Sequence, residues 1–156
     1  MNDFAEQQKT SKDTTRLLKK WGKAIIIRPT GFGKTWLLTT LISMYDKVLY
    51  VYPSQVIKDT VVDKYYRDLD ENEDASIDPE TIDLINTLRE NGEIMNCDLM
   101  TYNKLARSTK KELSKPQYDL IIFDECHRLG GYATKIATET LMTVQKKAKF
   151  VGATAT

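Results

Sequence analysis

The stretch that most restricts the fold is a strand, a glycine turn and a helix written consecutively. Ala24-Ile25-Ile26-Ile27 runs into Arg28-Pro29-Thr30-Gly31-Phe32-Gly33-Lys34-Thr35 and then into Trp36-Leu37-Leu38-Thr39-Thr40-Leu41-Ile42. The first run suits a short buried strand, and the apolar residues of the last fall at helical spacing. Between them, Gly31 and Gly33 let the backbone curl with its N–H groups inward, where a Cβ would block an anion. A helix starting near Lys34 aims its positive end at the same point. Lys34 brings a point charge suited to the β- and γ-phosphates of a nucleotide, and Thr35 a hydroxyl suited to Mg²⁺. Thr30, Gly31, Phe32, Gly33, Lys34 and Thr35 are therefore the candidate nucleotide ligands. The strict pattern G-x-x-x-x-G-K-[ST] has glycine where this chain has Arg28.

A length of 156 residues fits one domain with its own core. The 41% hydrophobic and 29% charged residues are those of an ordinary globular protein. A net charge of +1 supplies no general basic excess, so any contact with nucleic acid has to be local. No apolar run is long enough to span a bilayer, and the first residues lack a signal-peptide core, which predicts no membrane partner. Cys97 and Cys126 have no metal-ligand spacing and read as free thiols of a reducing cytoplasm.

Strand and helix signals alternate along the rest of the chain. Leu17, Leu18 and Trp21 give the polar lead-in of about twenty residues a small apolar face, as a helix would. Residues 47–52 read as a strand stopped by Pro53, and Ile57, Val61, Val62, Tyr65, Tyr66 and Leu69 as a helix. Residues 68–80 carry seven acids and read as a solvated loop. Asp78 and Pro79 cap a further helix through Ile82, Ile85 and Leu88 to the stop at Asn91-Gly92. A strand over 94–100 follows, then a basic segment (Lys104, Arg107, Lys110, Lys111, Lys115), then the strongest strand at 118–123. Ala133, Ile136, Ala137, Thr140, Leu141 and Val144 line a last helix, and 150–153 a last strand. Such alternation predicts an α/β fold with a mainly parallel sheet covered on both faces, its ligands at the carboxyl ends of the strands.

Leu120-Ile121-Ile122-Phe123-Asp124-Glu125-Cys126-His127 complements the glycine turn. Two carboxylates emerge where an apolar strand ends. Nucleotide hydrolysis needs one carboxylate on the Mg²⁺ side and another to orient and deprotonate water. Asp124 is the candidate for the first and Glu125 for the second. His127, the single histidine, lies two residues past Glu125, where it can couple to the γ-phosphate.

With Pro-Thr-Gly-Phe-Gly-Lys-Thr at 29–35, Asp-Glu-Cys-His at 124–127 and Gly-Ala-Thr-Ala-Thr at 152–156, the chain resembles the first RecA-like domain of superfamily 2 helicases. Its nearest likeness is to the DExH group of restriction-enzyme motor subunits and related translocases. The resemblance implies a RecA-like P-loop NTPase three-layer sandwich over residues 1–156, binding ATP and Mg²⁺. It implies catalytic roles for Lys34, Glu125 and His127, and Thr35 and Asp124 on the Mg²⁺ side. It further implies coupling by Thr154 and Thr156, nucleic-acid or coupling roles for Ser54, Thr101, Tyr102 and Lys104, and an adenine-reading glutamine, Gln7 or Gln8, with Gln8 carried forward. The implied partners are nucleic acid, DNA ahead of RNA, and a second RecA-like domain that brings an arginine finger. Without that domain the chain is expected to bind ATP with little turnover. Two rival readings are a P-loop phosphotransferase acting on a small molecule and a non-catalytic nucleotide switch.

Overall fold

The computed structural model describes residues 3–28, 33–71, 78–127 and 131–154. Helix α1 (Asp3–Trp21) buries Thr10, Thr14 and Leu18, one residue per turn of a single face. It stops at Gly22, whose φ of +72° accommodates the left-handed turn and whose N–H reaches the Leu18 carbonyl at 2.9 Å. The order continues as β1 (Lys23–Ile27), α2 (Lys34–Met44), β2 (Val48–Tyr52), α3 (Gln55–Glu71), α4 (Pro79–Glu90), β3 (Cys97–Thr101), α5 (Tyr102–Arg107), α6 (Lys110–Ser114), β4 (Leu120–Asp124), α7 (Tyr132–Val144) and β5 (Lys149–Thr154).

All five strands are parallel, in the order β1-β5-β4-β2-β3. Alternate residues feed two cores. Ala24, Ile26, Val48, Tyr50, Leu120, Ile122, Val151 and Ala153 meet Leu18 of α1, Leu38 and Leu41 of α2, and Val61 and Tyr66 of α3. Leu49, Val51, Ile121 and Phe123 meet Leu105, Leu113, Ala137 and Leu141 of α5, α6 and α7. Helices on both sides make a three-layer sandwich, as the alternation predicts.

The second face is not covered everywhere. β2 and β4 are buried at every residue, whereas β1 leaves Ile25 70% and Ile27 52% exposed. Two further differences from the sequence reading have local causes. The acidic stretch is not all solvated loop: residues 68–71 complete α3, where Asp68 pairs with Lys64 at 2.8 Å and Asp70 with Arg89 at 2.8 Å. The basic segment folds as α5 and α6, because Thr101 and Thr109 cap their first turns and Glu112 closes a capping box with Thr109. Among the described residues no helix is long and apolar enough to cross a membrane.

One buried polar side chain fastens the second layer. Gln145, 2% exposed, donates to the carbonyls of Leu113 and Pro116, each at 2.8 Å, and accepts from Tyr118 N–H at 2.8 Å. Gln145→Leu keeps the bulk and strands three backbone groups. We expect a loss of about 3 kcal/mol in chemical denaturation, since each buried unpaired group costs about 1–3 kcal/mol, part of which local relaxation recovers.

Candidate active site

The carboxyl ends of the strands form one edge, and the sequence-derived residues gather there. In register, Ile27 faces Thr154, Asp124 faces Ala153, and Tyr52 faces Thr101. Lys34 opens α2 directly after the turn that leaves β1. Its ammonium lies 2.8 Å from Asp124 Oδ1 and 2.6 Å from Glu125 Oε1, joining segments 91 residues apart.

Burial alone would lower the Lys34 pKa, but hydrogen bonds and charge attraction from Asp124 and Glu125 outweigh it and raise it above its usual value. The ammonium therefore stays charged between two carboxylates. Asp124, 2% exposed, also accepts the Glu125 N–H at Oδ1 (2.9 Å) and the Tyr50 hydroxyl at Oδ2, and its backbone carbonyl accepts the Tyr102 hydroxyl at 2.6 Å. Glu125 has φ +51°, a left-handed backbone that only a well-determined surrounding sustains for a residue with a Cβ. That bend turns its carboxylate out of the strand toward Lys34.

His127 extends the chain of contacts. Its Nδ1 is 2.9 Å from Thr154 Oγ1 and 3.6 Å from Glu125 Oε2. Thr154 in turn accepts Arg28 N–H at 3.2 Å through its carbonyl, and the Arg28 guanidinium reaches Thr10 Oγ1 of α1 at 3.3 Å. The acidic pair, the last strand, the start of the glycine turn and α1 are thus linked without a gap. Arg28 and Thr10 carried no functional signal in the sequence.

Gly33 has a φ of +94°, which disfavours a side chain, and the flexible end of Gln7 lies where a Cβ would project. Of the two glutamines, Gln7 lies beside Gly33, while Gln8, one residue on, is turned by the helical period to the exposed side. Thr30, Gly31, Phe32 and Thr156 lie outside the described residues.

The nucleic-acid set divides. Ser54 follows β2, is exposed, and gives its carbonyl to Lys58 N–H as the opening of α3. Thr101 ends β3 and spends its hydroxyl on Lys104 N–H at 3.0 Å as the cap of α5, and Lys104 is exposed. Tyr102 is 6% exposed with its hydroxyl on the Asp124 carbonyl, so it is not part of the surface that Ser54 and Lys104 share.

The donor set suits Mg²⁺. It takes oxygen ligands, commonly one or two carboxylates completed by substrate phosphates and water rather than a protein cage. Asp124 and the Thr35 hydroxyl at the head of α2 are such donors, and among the described residues no cluster of three or more His, Cys, Asp or Glu could hold a metal by itself.

The Lys34 end of α2, an acidic strand end and a threonine strand end on one edge of this parallel sheet define a RecA-like domain of the superfamily 2 helicase and translocase type. Residues 1–156 match the family described as type III restriction enzyme, res subunit, and the chain belongs to that family. No relative among curated proteins matches the sequence. Among solved structures it is similar to the Escherichia coli DEAH/RHA helicase HrpB (TM-score 0.67, 18% identity, 96% of this chain and 19% of that one). It is similar also to the Sulfolobus solfataricus SWI2/SNF2 ATPase core in complex with dsDNA (TM-score 0.62, 20% identity, 96% and 31%). A hypothetical ATP-dependent RNA helicase from Sulfolobus tokodaii is a third (TM-score 0.57, 19% identity, 99% and 50%). The chain thus spans from about a fifth to a half of the structures it resembles.

Proposed function

We propose that this domain binds and hydrolyses ATP with Mg²⁺ as the motor of a nucleic-acid-dependent helicase or translocase. The observation that carries the reading is the Lys34 ammonium seated between Asp124 and Glu125 at the head of α2. A triphosphate in the turn competes for that ammonium. Lys34 then moves its charge to the phosphates, which frees Glu125 to take a proton from water and Asp124 to serve the metal side with Thr35. Mg²⁺, when bound, supplies charge neutralisation of the phosphate oxygens. Gln8 or Gln7 reads the base in this account, with Gln7 the one beside Gly33, and His127 with Thr154 carries the state of Glu125 to the end of β5.

Ser54, Thr101 and Lys104 offer hydroxyls and one cation for backbone contacts that read no sequence. Membership of a restriction-subunit family, and the likeness to a core in complex with dsDNA, put DNA ahead of RNA as the partner. A second RecA-like domain completes the site in this reading by bringing an arginine finger, which is worth about 10³–10⁵ in rate. The protein works in the cytoplasm on this account.

ATP hydrolysis by the 156-residue chain and by a protein joining it to the second domain tests the proposal. The chain alone should bind ATP with little turnover, and the two-domain protein should hydrolyse it at least tenfold faster with duplex DNA than without. Rapid turnover indifferent to both DNA and RNA would overturn it in favour of a small-molecule phosphotransferase.

A further inference from the structure

Tyr50 lies in the middle of β2 with no exposure, a place where leucine would fill the space without a hydroxyl to satisfy. β2 and β4 run parallel with Tyr50 opposite Ile122, so Asp124, two residues further on, leaves the sheet on the same face as the Tyr50 ring. The ring spans the difference and its hydroxyl donates to Asp124 Oδ2. Tyr52 stacks on it at 5.7 Å and 19°, which fixes the ring plane.

The two oxygens of Asp124 are therefore held by different kinds of donor. Oδ1 is held by the Lys34 ammonium, which a phosphate can take away, and by Glu125 N–H. Oδ2 is held by a buried hydroxyl whose one assigned acceptor is that oxygen. Once Lys34 moves, Glu125 N–H on Oδ1 and Tyr50 on Oδ2 are what keep the carboxylate from turning about its Cβ–Cγ bond, and among the described residues Tyr50 alone holds Oδ2. We propose that Tyr50 is a positioning residue for Mg²⁺: by pinning Oδ2 it presents Oδ1 to the cation in a fixed plane, and so sets the Mg²⁺ concentration at which nucleotide is held. This rests on the reading of Asp124 as the carboxylate on the metal side.

The test is binding, not turnover. A non-hydrolysable ATP analogue at fixed concentration is titrated with Mg²⁺ by calorimetry, using wild type, Asp124→Asn, Tyr50→Phe and Tyr66→Phe. Tyr66, whose hydroxyl serves the Glu93 carbonyl in the same core, is the control for loss of a tyrosine hydroxyl. Residues that hold metal ligands in place are commonly worth about 10–100-fold in metal affinity. Tyr50→Phe should raise the half-saturating Mg²⁺ about tenfold or more, and Tyr66→Phe should leave it within about twofold. An unchanged half-saturation in Tyr50→Phe, with Asp124→Asn having lost the Mg²⁺ dependence, overturns the proposal and leaves the reading of Asp124 standing. Wild type and Asp124→Asn alike indifferent to Mg²⁺ overturn both. Should Tyr50→Phe fail to fold, 3-fluorotyrosine placed at position 50 replaces it: its ¹⁹F resonance should shift when Mg²⁺ is added to the nucleotide complex, and an unmoved resonance overturns the proposal.

Discussion

Lys34→Ala is expected to abolish ATP binding in any practical range, a loss of about a hundredfold or more by calorimetry. Two effects act in the same direction. The ammonium's contacts to phosphate are charge-assisted hydrogen bonds, worth about 1.5–3 kcal/mol each in protein settings. Its removal also leaves Asp124 and Glu125 adjacent and unneutralised, so an incoming triphosphate meets two negative groups instead of one cation. The same change costs stability before any ligand is added. Breaking a buried ion pair typically costs about 3–5 kcal/mol. Here the Glu125 side chain is 22% exposed and Asp124 keeps Tyr50 and Glu125 N–H, so we expect about 2–3 kcal/mol. Denaturation and binding measured on one preparation separate the two losses. Lys34→Arg is not a conservative control, because a planar fork cannot sit between the two carboxylates as a compact ammonium does.

Lys34 and the two acids it bridges were legible in the sequence because each group follows an apolar run. Ala24 to Ile27 and Leu120 to Phe123 have the composition of buried parallel strands, and polar groups directly behind such runs emerge at the carboxyl edge. The helix from Pro79 was equally plain: Asp78 accepts Thr81 N–H at 2.9 Å as its cap, and Gly92 with φ +68° ends it. What composition hides is direction. Tyr102 sits in a run of polar and basic residues and reads as surface, yet the cap at Thr101 turns it inward to Asp124. Tyr50 reads as one more strand residue; only alternation in β2, combined with the pairing of β2 and β4, shows that its hydroxyl has a carboxylate to meet. Which glutamine lies beside Gly33 depends on where α1 lies, and α1 is placed by Thr10, Thr14 and Leu18, a face too weakly apolar to orient a helix from sequence. Likewise nothing in Lys23-Ala24-Ile25-Ile26-Ile27 tells that β1 would be an edge strand with Ile25 and Ile27 open.

Glu125→Gln should separate binding from chemistry where Lys34→Ala cannot. The amide keeps the length and planarity of the carboxylate, and its oxygen can still accept from Lys34, so the ground state loses a charge and little shape. The strained backbone is no worse served, since a glutamine at φ +51° meets the same sterics as a glutamate. ATP affinity should therefore stay within about threefold of wild type; releasing Lys34 from one of its two carboxylates favours the phosphate if anything. Turnover in the two-domain protein should fall by about 10²–10⁴, the usual worth of a positioned general base, with KM little changed. Equal loss of ATP affinity in Lys34→Ala and Glu125→Gln would contradict the division of roles, because it would make Glu125 part of the grip on nucleotide and not the group that acts on water.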